Sequence, residues 1–450
     1  MQSASQFELP ITRLPWDLLK NTTYQHDAPE GYTPAFQMSP EPHDHRRNDY
    51  KDSDYCVTTL PQPYTYALER DGKAECMCTG WFKRMVLSTP GFPSPIAHPP
   101  KVMYEVRETD SGGRGVFATE DIKAGDLVLA ERPLLIKNGW MSARHDEDMS
   151  DEAVQRATFV DLEKTLEMIC MRMSPDILEI YESLPNVFKT DGSGPLTGIY
   201  RSNSRDLGIE DPEGERVPGG KKGIGRYVCI GALTSRFNHD CAPNAIFTFN
   251  IPSFSMEIHA VRPIAKGEEI TLTYCHLMST TAERRAKLKK ICITCTCKAC
   301  TDPVEADEER ERVVKALLPK TSQGIAHAEA VLSAYEATGL QSQARYIELL
   351  QRVAQIQRKK GSKERADELD KLADRIILAQ KGRSYKPEPA EPKPKPAKPN
   401  APEPNVRWIP VGSEDDMMRL IMSEPDAEAR GFLMGMFRQV MDKARERESR

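Results

Sequence analysis

Four cysteines crowd into nine residues, Cys292, Cys295, Cys297 and Cys300, and no other stretch constrains the fold so tightly. Thiols packed at that density oxidise unless something holds them. Soft thiolates at this spacing select zinc, and a closed four-sulfur site is structural rather than catalytic. The Cys295-x-Cys297 pair is so tight that a ligand from outside the run would relieve the geometry, and Cys241 is the best-placed candidate. Spacing alone leaves open which four sulfurs bind, and unrelated free thiols are the plain alternative. Cys56 and Cys76-x-Cys78 supply three further thiols without a clear fourth ligand, and they stay unassigned.

A zinc reading needs a reducing compartment. The stretch Met1–Lys20 mixes Glu8, Arg13 and Asp17 among its apolar residues, unlike a secretory signal with its charged start and apolar centre. No run approaches the ~18 apolar residues of a membrane span. A nuclear or cytoplasmic location, with no membrane partner, is therefore expected for the eleven cysteines. At 450 residues, 39% hydrophobic and 29% charged, the chain has the composition of a soluble protein of two or three units. Its net charge of -5 argues against general nucleic-acid binding, and no sequence-specific nucleic-acid contact is expected.

The pattern along the chain divides it. Residues 1–100 are Pro-rich, weakly periodic and read as an irregular N-terminal segment. Short strands separated by Gly-containing turns follow, at Tyr104–Arg107, Val116–Ala118, Leu127–Glu131, Ala245–Asn250, Met256–Val261 and Glu269–Tyr274. An insert of about 140–225 separates the two strand groups. Its first half reads as helix, with Leu162, Leu166, Ile169, Met173 and Ile177 near helical spacing, and its second half as a Gly-rich loop ending at Gly223. The glycines there lack the spacing and context of a phosphate cradle. Residues 302–384 read as helical, with one apolar stripe at Tyr346, Leu349, Val353 and Ile356 and another at Leu369, Leu372 and Ile376. Gly361-Ser362 between the stripes predicts an antiparallel helix pair. A Pro/Lys-rich linker at 385–405 and two helices within 406–450, Ser413–Met422 and Pro425–Arg447, complete the chain.

Three segments carry the chemical signal: Gly113-Arg114-Gly115-Val116-Phe117-Ala118, Arg236 to Asn244 with Asn238-His239-Asp240-Cys241 at its centre, and Gly267-Glu268-Glu269-Ile270-Thr271-Leu272-Thr273-Tyr274. Alone, each is a polar turn or a half-buried strand end. In this order, with strands between them and a Cys-x-Cys-x2-Cys tail, they resemble the SET-domain lysine methyltransferases. The insert, and the Glu283-Arg284-Arg285-x-x-Leu288 run before the tail, look most like the SMYD group and its fungal-type SET relatives, over roughly residues 103–301.

The resemblance implies an α+β SET fold of short-stranded sheets with a pseudoknot at 101–277, split by the helical insert, and a post-SET zinc segment at 278–301. It implies S-adenosylmethionine as methyl donor and a protein lysine, on a histone tail or another protein, as acceptor. Gly113, Arg114 and Gly115 match the turn that approaches the cofactor, and only glycine readily allows such proximity or a positive φ. Asn238 and His239 match the pair that holds its adenine and methionine parts, and Asn203 aligns more loosely with a further cofactor contact. Tyr274 matches the tyrosine at the transfer centre, and Cys241 with Cys295, Cys297 and Cys300 matches a structural zinc site. Transfer from a sulfonium is an in-line displacement, so orientation is the main task. A lysine of ordinary pKa near ~10.4 must first lose its proton, which a dry channel favours.

The chain departs from that pattern at Asp240, where a small Ser is usual, at Thr273, a variable position, and at Ile293, where an aromatic often stands. No MYND finger is visible. These departures keep one rival in view, an inactive SET-derived, zinc-braced interaction module. The basic run Arg284, Arg285, Lys287, Lys289 and Lys290 reads as a solvated helix face.

Overall fold

The computed structural model describes residues 23–25, 27–33, 47–61, 71–109, 112–139, 144–145, 148–211, 225–316 and 324–381. The expected linker at 385–405 and the two helices after it lie outside the described residues, as does most of the Gly-rich stretch ending at Gly223.

The N-terminal hundred residues correct the sequence reading. Strands β2 (Tyr55–Leu60) and β3 (Ala74–Thr79) and helix α1 (Gly80–Ser88) lie within the segment expected to be irregular. They enter a five-stranded sheet of order β2-β3-β7-β10-β9, with β7 at Leu135–Asn138, β9 at Arg205–Asp211 and β10 at Gly225–Ile230. All its pairings are antiparallel except β3 with β7. Every residue of β3 is buried. A strand covered on both faces has no reason to alternate apolar with polar, so the period of two was absent from the sequence. Thr79 caps α1 by accepting the Phe82 N–H at 3.1 Å. Cys56 and Cys78 are cross-strand partners with their sulfurs 3.8 Å apart in a buried apolar cluster. Among the described residues, the metal-competent groups of side chains do not include these cysteines.

The smaller sheets follow the expected strands closely. β4 (Tyr104–Glu108) and β5 (Arg114–Ala118) form a hairpin. β6 (Leu127–Glu131), β11 (Ala245–Asn250) and β12 (Ser255–Ala260) form an antiparallel sheet of order β11-β12-β6. A two-residue pair, β1 (Tyr32–Thr33) with β8 (Arg144–His145), stands apart. Between β7 and β10 lie the expected helix α2 (Asp151–Cys170) and two shorter ones, α3 (Pro175–Glu182) and α4 (Pro195–Asn203). The second half of this stretch, read as loop, contains α4 and β9 instead. Local propensity gave no sign of β9 because Asp206, Gly208 and Asp211 are poor strand formers, and its pairing with β10 crosses a bulge between Arg226 and Val228.

The expected strand Glu269–Tyr274 forms no ladder. Its backbone changes partner at nearly every residue: Ile270 N donates to Val116 O, Leu272 N to Asn238 O, and Leu272 O accepts from Asp240 N. Only isolated bridges result, Phe117 with Glu269 and, in parallel, His239 with Leu272. A segment serving several neighbours cannot pair continuously with one of them.

Among the described residues, six helices lie C-terminal to this crossing: α5 (Thr281–Lys289), α6 (Lys298–Thr301), α7 (Pro303–Lys315), α8 (Ile325–Ala337), α9 (Ala344–Lys359) and α10 (Lys363–Lys381). The pair α9 and α10 matches the predicted stripes, and Gly361 takes a φ of 93° between them. Their apolar faces share one core with Ala124, Val261 and Leu277 from the β-rich part, so these helices extend that core.

Candidate functional site

The crossing at residues 236–241 and 267–275 gathers the residues singled out in the sequence. The Tyr274 hydroxyl donates to the Phe237 carbonyl at 2.5 Å. The Tyr274 backbone N–H donates to His239 Nδ1 at 3.0 Å. Phe237 itself is fully buried in the core beneath. Tyr227, the other aromatic weighed from sequence, is buried elsewhere, its hydroxyl donating to Asp211 at 2.8 Å and its ring stacked on Phe82.

A backbone N–H always donates, so Nδ1 holds a lone pair and the neutral imidazole carries its proton on Nε2. That Nε2 lies 3.3 Å from Cys241 Sγ and 4.0 Å from Cys275 Sγ. By distance alone His239, Cys241 and Cys275 could hold a metal. The tautomer argues against it, because a protonated nitrogen has no pair to offer; His239 instead donates toward a sulfur.

Cys241, Cys295, Cys297 and Cys300 form a second and better group, with all four sulfurs within 4.8 Å of one another. The Cys241 sulfur is 4.0 Å from that of Cys295 and 3.7 Å from that of Cys300. Four sulfurs at ~2.3 Å from one shared ion would stand roughly 3.8 Å apart, so the donor set suits tetrahedral zinc. Thiols of Cys275, Cys295 and Cys297 donate to Cys241 and hold it far below the ordinary thiol range. The same contact with Cys241 is the main reason Cys297 is pushed up to about 11. Cys292, first of the run, is exposed and outside the group.

Two buried arginines back this cluster. Arg310 donates to the carbonyl of Cys241 at 2.5 Å and to that of Leu277 at 2.6 Å. Arg284 was expected to be solvated with the other basic residues of α5, yet it is 0% exposed. It donates to Ser279 O at 2.5 Å and Thr281 Oγ1 at 2.7 Å, with Asp307 at 3.5 Å. Burial lowers its pKa, but the sulfur of Cys241, Asp307 and Cys300 outweigh burial and leave it raised. Four thiolates around a divalent ion would carry excess negative charge, which the two inward-turned guanidiniums would offset. The rest of the basic run, Arg285, Lys287, Lys289 and Lys290, is exposed as expected.

The proposed cofactor residues divide by geometry. Gly112 and Gly113 each have a φ of 84° with open space where a side chain would stand, and Arg114 beside them is exposed. Gly115 is required for a different reason: a side chain there would collide with the Glu269 carboxylate, Thr109 and Asn238. The Asn238 amide donates to Arg114 O at 3.1 Å and to Glu269 Oε1 at 2.7 Å, tying the glycine turn to the crossing. Asn203 closes α4 with its amide donating to Ile199 O at 2.7 Å and Pro185 O at 2.8 Å. Its neighbour Arg205, absent from the sequence reading, reaches the crossing instead: its guanidinium carbon lies 4.0 Å from the Tyr274 ring centre and Nη2 donates to Phe237 O at 3.3 Å. Arg310 was missed as well, and Glu269 and Arg284, though inside the quoted motifs, were given no part in the site. A motif match carries no signal of which neighbour a charged side chain meets.

The departures resolve locally. Asp240 spends its carboxylate on the Ala242 N–H at 2.6 Å, and Thr273 donates to Cys275 O at 2.7 Å.

Residues 113–275 match the SET domain family. The histone-lysine N-methyltransferase set5 of Schizosaccharomyces pombe is 28% identical over 200 residues, 44% of this chain and 50% of that protein. The histone-lysine N-methyltransferase SMYD3 of Homo sapiens is 35% identical over 112 residues, 23% of this chain and 25% of its own. A SET and MYND domain-containing protein of Dictyostelium discoideum is 31% identical over 121 residues, covering 26% of this chain and 34% of that one. The chain spans half the length or less of these relatives.

Proposed function

We propose, from the premise that the chain is a SET-domain protein with SMYD and fungal Set5 relatives, that it methylates lysine side chains of proteins. The observation that carries the reading is Tyr274, whose hydroxyl and backbone are both held at the crossing, by Phe237 O and His239 Nδ1. S-adenosylmethionine would supply the electrophilic methyl on a sulfonium. The open Gly112-Gly113 turn, Arg114, Asn238 and His239 are the residues that would hold it. Asn203 is proposed only through its backbone and side-chain carbonyl, since its amide already donates to Ile199 O and Pro185 O.

The acceptor lysine must arrive neutral, because an ammonium has no lone pair. Its nitrogen pair forms the new N–C bond as the C–S bond breaks and leaves its electrons on sulfur, and the surplus proton on nitrogen passes to water. Tyr274 and the Phe237 carbonyl orient the amine along that line. Zinc on Cys241, Cys295, Cys297 and Cys300 would brace the tail beside the site and take no part in the step.

The rival, an inactive scaffold, rested partly on Asp240, whose charge is turned into a backbone bond. Purified protein, methyl-labelled S-adenosylmethionine and a core-histone mixture or cell extract test the reading, with mass spectrometry locating the mark. Methylated lysine is the expected product, and calorimetry should show cofactor binding in both wild type and Tyr274→Phe while the variant loses transfer. Absence of cofactor binding would overturn the enzyme reading. Full activity in Tyr274→Phe would remove the tyrosine from it.

A further inference from the structure

Arg205 carries three observations that stability of the fold does not explain. It opens β9, paired with Cys229 of β10, and its backbone carbonyl accepts from the Cys229 thiol at 3.6 Å, so its origin is fixed. Its guanidinium lies over the Tyr274 ring, and Nη2 shares the Phe237 carbonyl with the Tyr274 hydroxyl. Its Nε is buried without a hydrogen-bond partner. An unpaired buried donor calls for an explanation beyond packing; Arg132, Arg156 and Arg284 have one too, but only Arg205 also lies on the Tyr274 ring and the Phe237 carbonyl.

We propose that Arg205 is a positioning residue of the methyl-transfer centre, which holds the Tyr274 ring and keeps a permanent positive charge where the acceptor amine must arrive. The proposal rests on the methyl-transfer reading. The planar guanidinium stacks on the phenol ring and bonds the carbonyl at once, a combination that an ammonium cannot reproduce. A guanidinium stays charged throughout the working pH range. A like charge beside an ammonium disfavours it, so the acceptor lysine loses its proton at lower pH than it would beside a neutral side chain. Other ionisable or charged groups on the surrounding elements include Asp206 on β9, Cys229 on β10, Glu131 on β6, and Arg236, His239, Asp240, Glu269 and Cys275 at the crossing. Asp206 is paired with Arg226, and Arg236 reaches Ser183.

Two substitutions separate charge from plane. The acid limb of the kcat profile is measured between pH 6 and 10 on core histones, or on the protein found by labelling if histones are unmarked. Arg205→Met should move that limb up by about one pH unit, with about tenfold less activity at its foot. Arg205→Lys should keep the limb near its wild-type position while kcat falls, because the charge remains and the stacked plane is lost. Cofactor affinity by calorimetry should stay unchanged in both. A profile of Arg205→Met superimposable on wild type would overturn the proposal. So would a loss of activity in both variants that tracks loss of folded protein by circular dichroism with no change in profile shape. A wild-type chain that binds no cofactor and transfers no methyl would instead sink the underlying reading, and this proposal with it.

Discussion

His239 accepts the backbone N–H of Tyr274 on one ring nitrogen and faces the sulfur of Cys241 with the other. The sulfur cluster and the proposed transfer centre are thereby two ends of one imidazole.

This coupling predicts a joint failure. In His239→Ala the Tyr274 N–H loses its acceptor and Cys241 loses a donor. Outer-shell losses of this kind reduce metal affinity by roughly 10–100-fold. A competing chelator should extract zinc more readily, and methyl transfer should fall with it. Transfer that falls while zinc affinity stays at the wild-type value would show that the two ends are independent.

Gly113 and Gly115 should fail differently although only one residue separates them. Alanine at 113 meets open space but inherits a φ of 84°, a strain of about 1–2 kcal/mol. Alanine at 115 must push Glu269 off Asn238, an overpacking cost of about 1–3 kcal/mol that also unties the turn from the crossing. Denaturant midpoints with cofactor titrations would distinguish them. Equal cofactor affinity in both variants would contradict the tie.

Arg310→Met should loosen the sulfur cluster from behind. Two buried carbonyls, Cys241 O and Leu277 O, would lose their donor, at about 1–3 kcal/mol each if left unpaired. Thermal unfolding at fixed zinc should move down, and chelator-induced unfolding should accelerate. An unchanged chelator response would place Arg310 outside the metal's support.

Glu163 offers a pH test outside the sulfur cluster of Cys241, Cys295, Cys297 and Cys300. It is 1% exposed and accepts the N–H groups of Leu196 at 3.0 Å and Thr197 at 2.8 Å, at the start of α4. Burial nevertheless raises its carboxyl above the ordinary 4.5. A carboxyl raised on folding contributes stability that is complete below about pH 4.5 and lost as pH climbs through the folded value. The stability of wild type minus that of Glu163→Gln should therefore decline from pH 4.5 upward. A flat or rising difference would mean that the helix N–H groups outweigh burial.

Much of the site could be read before the fold was known, and the reason is physical. Glycine at a positive φ, a cysteine run and an Asn-His pair beside Cys241 are residue types that few environments demand. The helix pair α9 and α10 was equally plain, because its apolar stripes are local. β3 was hidden because it is buried on both faces, and the crossing was mistaken for a strand because its backbone bonds are shared among distant partners. Arg205 and Arg310 bond carbonyls 32 to 69 residues away, and Arg284 turns inward from a helix whose other basic residues face solvent. Their residue type says nothing of where they end.

The shared bonding of residues 268–272 bears on how the molecule is made. Amides of Ile270 and Leu272 can find their acceptors only after Val116 and Asn238 are already placed. We predict that this segment closes late in the assembly of this region and brings Tyr274 into place as it does so. Molecules caught short of it would be inert rather than misdirected, with no half-built pocket to modify the wrong target. Hydrogen exchange at the Ile270, Leu272 and Asp240 amides should rise and fall together with activity across mild denaturant.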